Sequence, residues 1–313
     1  TVKDNVFRLD TENTTYIFRI TKFGHLEHVY YGFLLDQDDS ADVMAQKSSV
    51  SIGSSISYDR SDKLYSLDNM CLEWSDNGRG DYRQSPTELK MPDGTFISDF
   101  AYLSHRIIDG SVPMKTLPSS YGGDQTLEIT LKDTTSDVFL DLYYTVFEKA
   151  DCITRRAVLK NESDDPLIIR RIMSMMVDLP DECFHMYTLD GGWIKEAHLH
   201  KTPVGYGMTI NSSTTGSSSN RHNPAFMLAS DIATEDHGNV YGFNLIYSGN
   251  HFGSAEKSGR DIVRVSAGIN PHLFEWILNK NEEDVWVSEE TIRRFWDKIV
   301  NYTARLAGKR GLL

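Results

Sequence analysis

Short stretches of alternating apolar and polar residues follow one another along most of this chain, and they predict β-strands. The clearest case is residues 125–132, where Leu127, Ile129 and Leu131 alternate with polar residues. One face of this strand is therefore expected to be buried and the other to face solvent. Other stretches are rich in β-branched and aromatic residues instead. The main predicted strands cover residues 14–20, 26–31, 100–107, 125–132, 138–148, 153–160, 167–178, 222–229, 240–248, 262–267 and 273–278.

Turn signals separate these strands at short and fairly regular intervals. Asp93-Gly94 and Asp109-Gly110 are typical of tight turns between antiparallel strands. Residues 36–66 are polar and serine-rich, and they predict a long irregular loop. Up to residue 280 the pattern contains no convincing long helix. We therefore predict an all-β fold, a large antiparallel β-sandwich.

The end of the chain has a different pattern. Ile292, Phe295 and Ile299 recur at helical spacing, and Ser288 is a suitable residue to cap a helix that starts beside it. These features predict one amphipathic C-terminal α-helix over residues 289–307, which would dock on the sandwich or contribute a subunit contact.

Composition and charge exclude several classes of function. The chain has 313 residues and a formal net charge of −13, which opposes binding to nucleic acid and to anionic membrane surfaces. It contains no apolar run long enough to span a bilayer and no apolar signal-peptide core at its start. The three cysteines, Cys71, Cys152 and Cys183, are widely spaced. An odd number without close pairs argues against a disulfide framework, so we expect a cytoplasmic location.

The chain lacks the familiar short motifs of catalytic and nucleotide-binding sites. His198 and His200 lie two residues apart and would share one strand face, but no third metal ligand is apparent beside them. We therefore expect no metal site, no cofactor and no catalytic residue within this chain.

Residues 187–200 hold the most distinctive candidate for binding. Asp190-Gly191-Gly192 predicts a sharp turn, and Trp193 follows it among polar residues. Two interpretations are open. The commoner one is a tryptophan that packs over the end of the sandwich. The other is an exposed indole that offers a flat apolar face to a sugar ring. In either case we expect the turn to place Trp193 at the rim of the sandwich.

Many short runs in this chain resemble, in the same order, the N-terminal β-supersandwich domain of the melibiase-type α-galactosidases of glycoside hydrolase family 36. No single run is decisive, but their collinear order over most of residues 5–280 is specific. The runs begin at Gly78, Asp93, Thr126, Tyr144, Ile153, Leu189, His222, Ala233, Tyr241, Tyr247 and Gly268.

The resemblance implies that the catalytic residues lie in a different domain. In that family two aspartates of a following (β/α)₈ barrel act as nucleophile and general acid/base in a retaining mechanism. The roughly 30 residues after Lys280 are far fewer than the ~250 of a barrel. Phe295-Trp296-Asp297 faintly resembles the family's nucleophile motif, but we interpret Asp297 as a surface residue. We divide the chain into a sandwich, residues 1–280, and a helical tail, residues 281–313.

The same resemblance points to four substrate-contacting residues. The family's tryptophan after the glycine turn corresponds to Trp193, which would help to wall the galactose pocket. The family's Gly-Asp-aromatic-Arg loop corresponds to Asp81, Tyr82 and Arg83, which would reach a pocket of a neighbouring subunit in tetrameric members. An aromatic face, a carboxylate and a guanidinium suit a sugar ring and its hydroxyls.

Three hypotheses of function follow. The chain is the N-terminal domain of an α-galactosidase that acts on sugars such as melibiose and raffinose; it completes the galactose pocket and oligomer contacts and is inactive alone. Alternatively, it is a stand-alone carbohydrate-binding module, or a purely structural assembly domain. The expected partners are α-galactoside sugars, bound weakly or not at all without the barrel, and either further copies of the chain or a catalytic barrel domain.

Overall fold

The computed structural model describes residues 1–36, 39–46, 53, 55–114, 116–283 and 289–295. One short helix, α1, covers Ala41–Met44, and two 3-10 turns cover Leu67–Asn69 and Glu148–Ala150. The strands are β1 Val2–Lys3, β2 Val6–Asp10, β3 Thr14–Ile20, β4 Leu26–Phe33, β5 Thr87–Lys90, β6 Phe100–Asp109, β7 Gln125–Asp133, β8 Val138–Phe147, β9 Cys152–Asn161, β10 Leu167–Ile172, β11 Met175–Pro180, β12 His185–Asp190, β13 His198–Pro203, β14 Gly207–Ser212, β15 His222–Ala229, β16 Val240–Ile246, β17 His251–Lys257, β18 Ile262–Ile269, β19 Trp276–Leu278, β20 Glu282–Glu283 and β21 Glu289–Phe295.

These strands form four sheets within the described ranges. A ten-stranded sheet has the order β13-β12-β15-β16-β21-β9-β8-β7-β6, with β20 paired to β9. The other sheets have the orders β1-β2-β3-β4, β11-β18-β17-β14 and β19-β10-β5. Every strand ladder in the described part of the chain is antiparallel. The prediction of an all-β, antiparallel sandwich is confirmed.

One continuous apolar core joins the four sheets. The predicted apolar face of β7 supplies Leu127, Ile129 and Leu131, all of which are buried. The same cluster contains Phe18 from the small N-terminal sheet and Val265 from β18. Fully burying one such side chain contributes roughly 1.5–3 kcal/mol, so the sheets are held face to face mainly by this core.

The predicted strand over residues 167–178 is two strands in different sheets. The chain leaves β10 at Met173, whose amide donates to the Pro86 carbonyl, and enters β11 after Ser174, whose amide donates to the Ala267 carbonyl. Gly268 permits this crossing, because a Cβ atom there would lie 2.8 Å from the Ser174 nitrogen. An unbroken run of apolar residues does not show this change of sheet, since both strands are buried.

The prediction of a C-terminal α-helix over residues 289–307 is wrong in its first part. Glu289–Phe295 is strand β21, which lies between β16 and β9 near the middle of the ten-stranded sheet. A strand at this position supplies backbone partners to two neighbouring strands at once, which a helix could not do. Residues 296–307, including Asp297, lie outside the described residues. The predicted tail therefore contributes β20 and β21 to the sheet.

Residues 36–66, as far as they are described, contain α1 and bends rather than a strand of the core, as predicted. Within the described residues, no helix has the length and apolar character needed to cross a membrane.

Replacement of Thr291 by proline tests the position of β21. Proline removes an N–H from a strand that is paired on both sides, so we expect the free energy of unfolding to fall by about 3 kcal/mol or more. Thr291→Ala, which keeps the N–H, is the control and should cost less than about 1 kcal/mol. Urea unfolding followed by circular dichroism measures both, and equal midpoints would show that β21 is not a central strand.

Candidate functional site

The loop between the 3-10 turn at residues 67–69 and strand β5 is anchored at its start by a buried carboxylate. Glu73 accepts hydrogen bonds from the Tyr16 hydroxyl (2.6 Å), His28 Nδ1 (2.7 Å) and the Tyr144 hydroxyl (2.9 Å). Its second oxygen also pairs with Arg155 Nη1 at 3.0 Å. These partners come from β3, β4, β8 and β9, so Glu73 connects the small N-terminal sheet with the ten-stranded sheet.

The other end of the loop is anchored by a closed ring of four buried charges: Asp81, Arg83, Asp178 and Arg264. Arg83 Nε and Nη2 donate to Asp81 at 2.8 and 3.0 Å. Arg264 donates to Asp81 at 2.6 Å and to both oxygens of Asp178 at 2.8 and 2.9 Å. Arg83 Nη1 and Asp178 close the ring at 2.9 Å. We call these residues the ionic ring.

The ionic ring joins the loop to the sheet that contains β11 and β18. Asp178 and Arg264 are directly opposite each other in the register of these two strands. Asp178 also accepts from the Leu72 amide, and the Ser75 hydroxyl donates to Asp81. Loop residues 73–86 therefore contact three of the four sheets through polar groups that have almost no access to solvent.

Within the ionic ring, charge pairing affects the pKa values of Asp81 and Arg264 more than burial does. Burial alone would raise the pKa of Asp81, but the guanidinium groups of Arg264 and Arg83 hold its pKa well below the usual range. The pKa of Arg264 is correspondingly raised by Asp178 and Asp81 despite its burial. Because the pKa of Asp81 is lower when folded, its contribution to stability is present above the ordinary aspartate range and is lost as the pH falls below it.

Of the four predicted site residues, two are buried in the structure and two are exposed. Asp81 and Arg83 are buried in the ionic ring, and neither offers a polar group to a ligand at the surface of this chain. Tyr82, between them, is 68% exposed. Gly78 and Gly80 turn the chain before it with φ of 89° and 91°. The bonds of Arg83 to Asp81 and to the Leu67 carbonyl hold the loop that presents Tyr82.

Trp193 lies at the tip of the hairpin that joins β12 and β13, and its side chain is 87% exposed. This confirms the expected position at the rim. The neighbouring Ile194 is also exposed and has a φ of 64°, which is unfavourable for a β-branched residue. Backbone strain of this kind is concentrated at functional sites, where the surrounding structure maintains it.

The base of this hairpin is fixed by the segment before β15. The Gly191 amide donates to the Arg221 carbonyl at 3.0 Å, and the Ala197 amide donates to the Asn220 carbonyl at 2.9 Å. Only glycine fits at position 191, because a Cβ atom would lie 1.6 Å from the Lys195 carbonyl oxygen. Both sides of the hairpin are therefore held, while its tip projects into solvent.

His198 and His200 are exposed on the edge strand β13. The described residues contain no group of three or more His, Cys, Asp or Glu side chains arranged to hold a metal ion. Cys71, Cys152 and Cys183 are not joined by disulfide bonds.

Glu73, Arg155, Asp178 and Arg264 were not among the site residues predicted from the sequence. A signal was available: Asp178 and Arg264 are single opposite charges in the middle of two apolar runs. A lone charge in a buried strand requires a partner, but the pairing of β11 with β18 cannot be deduced from spacing.

The chain is similar to known proteins over most of its length. The sequence profile of the Glycosyl hydrolase family 36 N-terminal domain matches residues 24–279. Alpha-galactosidase 2 of Hypocrea jecorina is 38% identical over 213 residues, 67% of this chain and 29% of that protein. Alpha-galactosidase AgaA of Geobacillus stearothermophilus is 32% identical over 282 residues, 88% of this chain and 38% of AgaA.

Solved structures show the same similarity. An alpha-galactosidase from Lactobacillus brevis has a TM-score of 0.90 at 29% identity, over 98% of this chain and 42% of that one. An AgaA variant in complex with raffinose has a TM-score of 0.88 at 31% identity, over 94% of this chain and 41% of AgaA. This chain therefore spans less than half of the length of the proteins that it matches.

Replacement of Arg264 by methionine tests the ionic ring. The change leaves Asp81 and Asp178 short of positive charge in a buried site, and we expect a loss of about 3–5 kcal/mol in the free energy of unfolding. Arg170→Met, which breaks an exposed pair with Glu275, is the control and should cost at most about 1 kcal/mol. Similar urea midpoints for the two variants would show that the ring contributes no more than a surface pair.

Replacement of Trp193 by alanine tests whether this indole packs against the core. Since the side chain is exposed, we expect the unfolding free energy to change by less than about 1 kcal/mol, against about 3–5 kcal/mol for a core tryptophan. The buried Trp74 provides the matched control, Trp74→Ala. A loss at Trp193 as large as that at Trp74 would identify Trp193 as a packing residue.

Proposed function

Because the chain belongs to glycoside hydrolase family 36, whose N-terminal domain it matches, we propose that it is the sandwich domain of an α-galactosidase and that Trp193 forms part of the galactose pocket. The observation that carries this proposal is the exposed indole, held at the tip of an anchored hairpin. Its relatives of 29–38% identity are alpha-galactosidases, and one of them was solved in complex with raffinose.

The physical case for Trp193 rests on its shape and its setting. An indole has a flat apolar face that matches the C–H face of a galactose ring, and its N–H is a donor for a hydroxyl. The ring is large and exposed, so a ligand or another domain that covers it would gain binding free energy from burying it. The hairpin base limits how far the ring can move, which lowers the entropy lost on binding.

For the second predicted contact, we propose that Tyr82 alone meets the ligand or a neighbouring subunit. Asp81 and Arg83 act indirectly, since the ionic ring fixes the backbone on both sides of Tyr82. The exposed ring of Tyr82 combines an apolar face with a hydroxyl, as contact residues often do.

The remaining parts of the proposal concern partners. A catalytic barrel would supply the two carboxylates of a retaining mechanism, and the described residues contain no such barrel. We therefore propose that this chain has no hydrolytic activity alone, and that it functions with a barrel and in a homo-oligomer. A cytoplasmic location suits three cysteines that form no disulfide bond with one another.

A second candidate function is a stand-alone carbohydrate-binding module. The exposed pair Trp193 and Ile194 favours it, because together they form an apolar surface at one hairpin tip. In that case sugar affinity would not depend on a barrel.

Saturation-transfer NMR with raffinose tests the role of Trp193. We expect weak transfer to the galactose protons, lost in Trp193→Ala and retained in Trp276→Ala, a tryptophan on the separate strand β19. Absence of transfer to the unmodified chain, or transfer that survives Trp193→Ala, would contradict the proposed pocket.

Two further measurements separate the candidate functions. Hydrolysis of a chromogenic α-galactoside by the chain is expected to be undetectable, and turnover would contradict the need for a barrel. Calorimetric binding of raffinose tighter than about 1 mM would favour the stand-alone module, because half a pocket binds weakly.

A further inference from the structure

An irregular segment of β15 brings a histidine to the base of the Trp193 hairpin. In the pairing of β12 with β15, Thr188 is opposite Phe226 but Asp190 is opposite His222, so β15 has two extra residues, Asn223 and Pro224. Proline cannot donate a ladder hydrogen bond, and a bulge of this kind redirects the neighbouring side chain. The Asn223 side chain stabilises the bulge by accepting from the Ala225 amide at 2.9 Å.

The redirected His222 meets the residue that starts the hairpin turn. His222 Nδ1 lies 3.3 Å from Asp190 Oδ1, and the other Asp190 oxygen accepts from the Thr188 hydroxyl. Asp190 is followed at once by Gly191, whose amide is bound by the carbonyl of Arg221. The side-chain pair and the backbone bond therefore join the same two short segments.

We propose that Asp190 and His222 are positioning residues for Trp193, and that the contact between their side chains holds the hairpin base in the orientation that presents the indole. This inference rests on the proposed role of Trp193 in sugar binding. At the tip, only short-range bonds are present among the described residues: Gly192 with Lys195, and the Ile194 amide with Glu196. The direction of the indole is therefore set mainly at the base.

The titratable groups around the pair come from three elements. Asp190 lies on β12 with His198 opposite it on β13, and Arg221 precedes His222. His251 on β17 is buried, and neither of its ring nitrogens has a partner among the described residues. Burial and the neighbouring His222 lower the pKa of His251 to about 4. Because its pKa is lowered, His251 is uncharged near neutral pH and places no second charge beside the pair.

Fluorine NMR of the full chain labelled with 5-fluorotryptophan tests this inference without sugar. The Trp193 resonance is identified by its loss in Trp193→Phe. At one fixed pH, we expect this resonance to shift and broaden in both His222→Gln and Asp190→Asn, because the hairpin base loosens when the contact is broken. Both side chains are partly exposed, so these variants should fold.

His237→Gln is the matched control, since His237 lies in the β15–β16 turn and pairs with Thr234. Its Trp193 resonance should equal that of the unmodified chain. A Trp193 resonance that is unchanged in both pair variants would overturn the positioning role. Because no sugar is present, this result is independent of whether Trp193 binds galactose.

Discussion

The structure depends on the burial of opposite charges in one loop, residues 73–86, that touches three of the four sheets. At one end Glu73 is paired with Arg155, and at the other Asp81 belongs to the ionic ring with Arg83, Asp178 and Arg264. Isolated charges at these positions would be very costly, whereas complete pairing makes the burial tolerable. Pairing of this kind also selects a single arrangement, because each carboxylate has a specific set of donors. The apolar core provides most of the stability, and the charged loop specifies how the sheets are aligned.

Because the apolar core and the charged loop hold the sheets together, the exposed aromatic residues are not needed for folding and can be functional. Tyr82 is held on both sides by members of the ionic ring, and Trp193 is held by a hairpin whose base is bonded to residues 220 and 221. In both cases the aromatic side chain contributes little to the core, so its exposed face can contact a ligand. A sugar-contacting surface of a family 36 domain would need this combination of a rigid base and an uncommitted aromatic face.

The sequence predicted the sandwich well, because alternation along strands such as β7 and turns such as Asp93-Gly94 are local signals. It failed where long-range pairing decides the outcome. Residues 289–295 have apolar positions that fit helical spacing, but the gap between β16 and β9 makes them a strand. At the site, the glycines before Trp193 correctly indicated an exposed turn. Asp81 and Arg83 were grouped with Tyr82 because all three match one loop of the family, and only the partners Asp178 and Arg264, far along the chain, show that these two are buried.

Native-state hydrogen exchange followed by mass spectrometry tests most directly whether the ionic ring organises the loop. In the unmodified chain, amides of residues 73–86 should exchange as slowly as those of β11 and β18, while residues 192–196 exchange rapidly by local opening. In Arg264→Met, the account predicts that protection of residues 73–86 falls selectively and that exchange in the Trp193 hairpin is unchanged. Uniform loss of protection over the whole chain, or none in this loop, would contradict it.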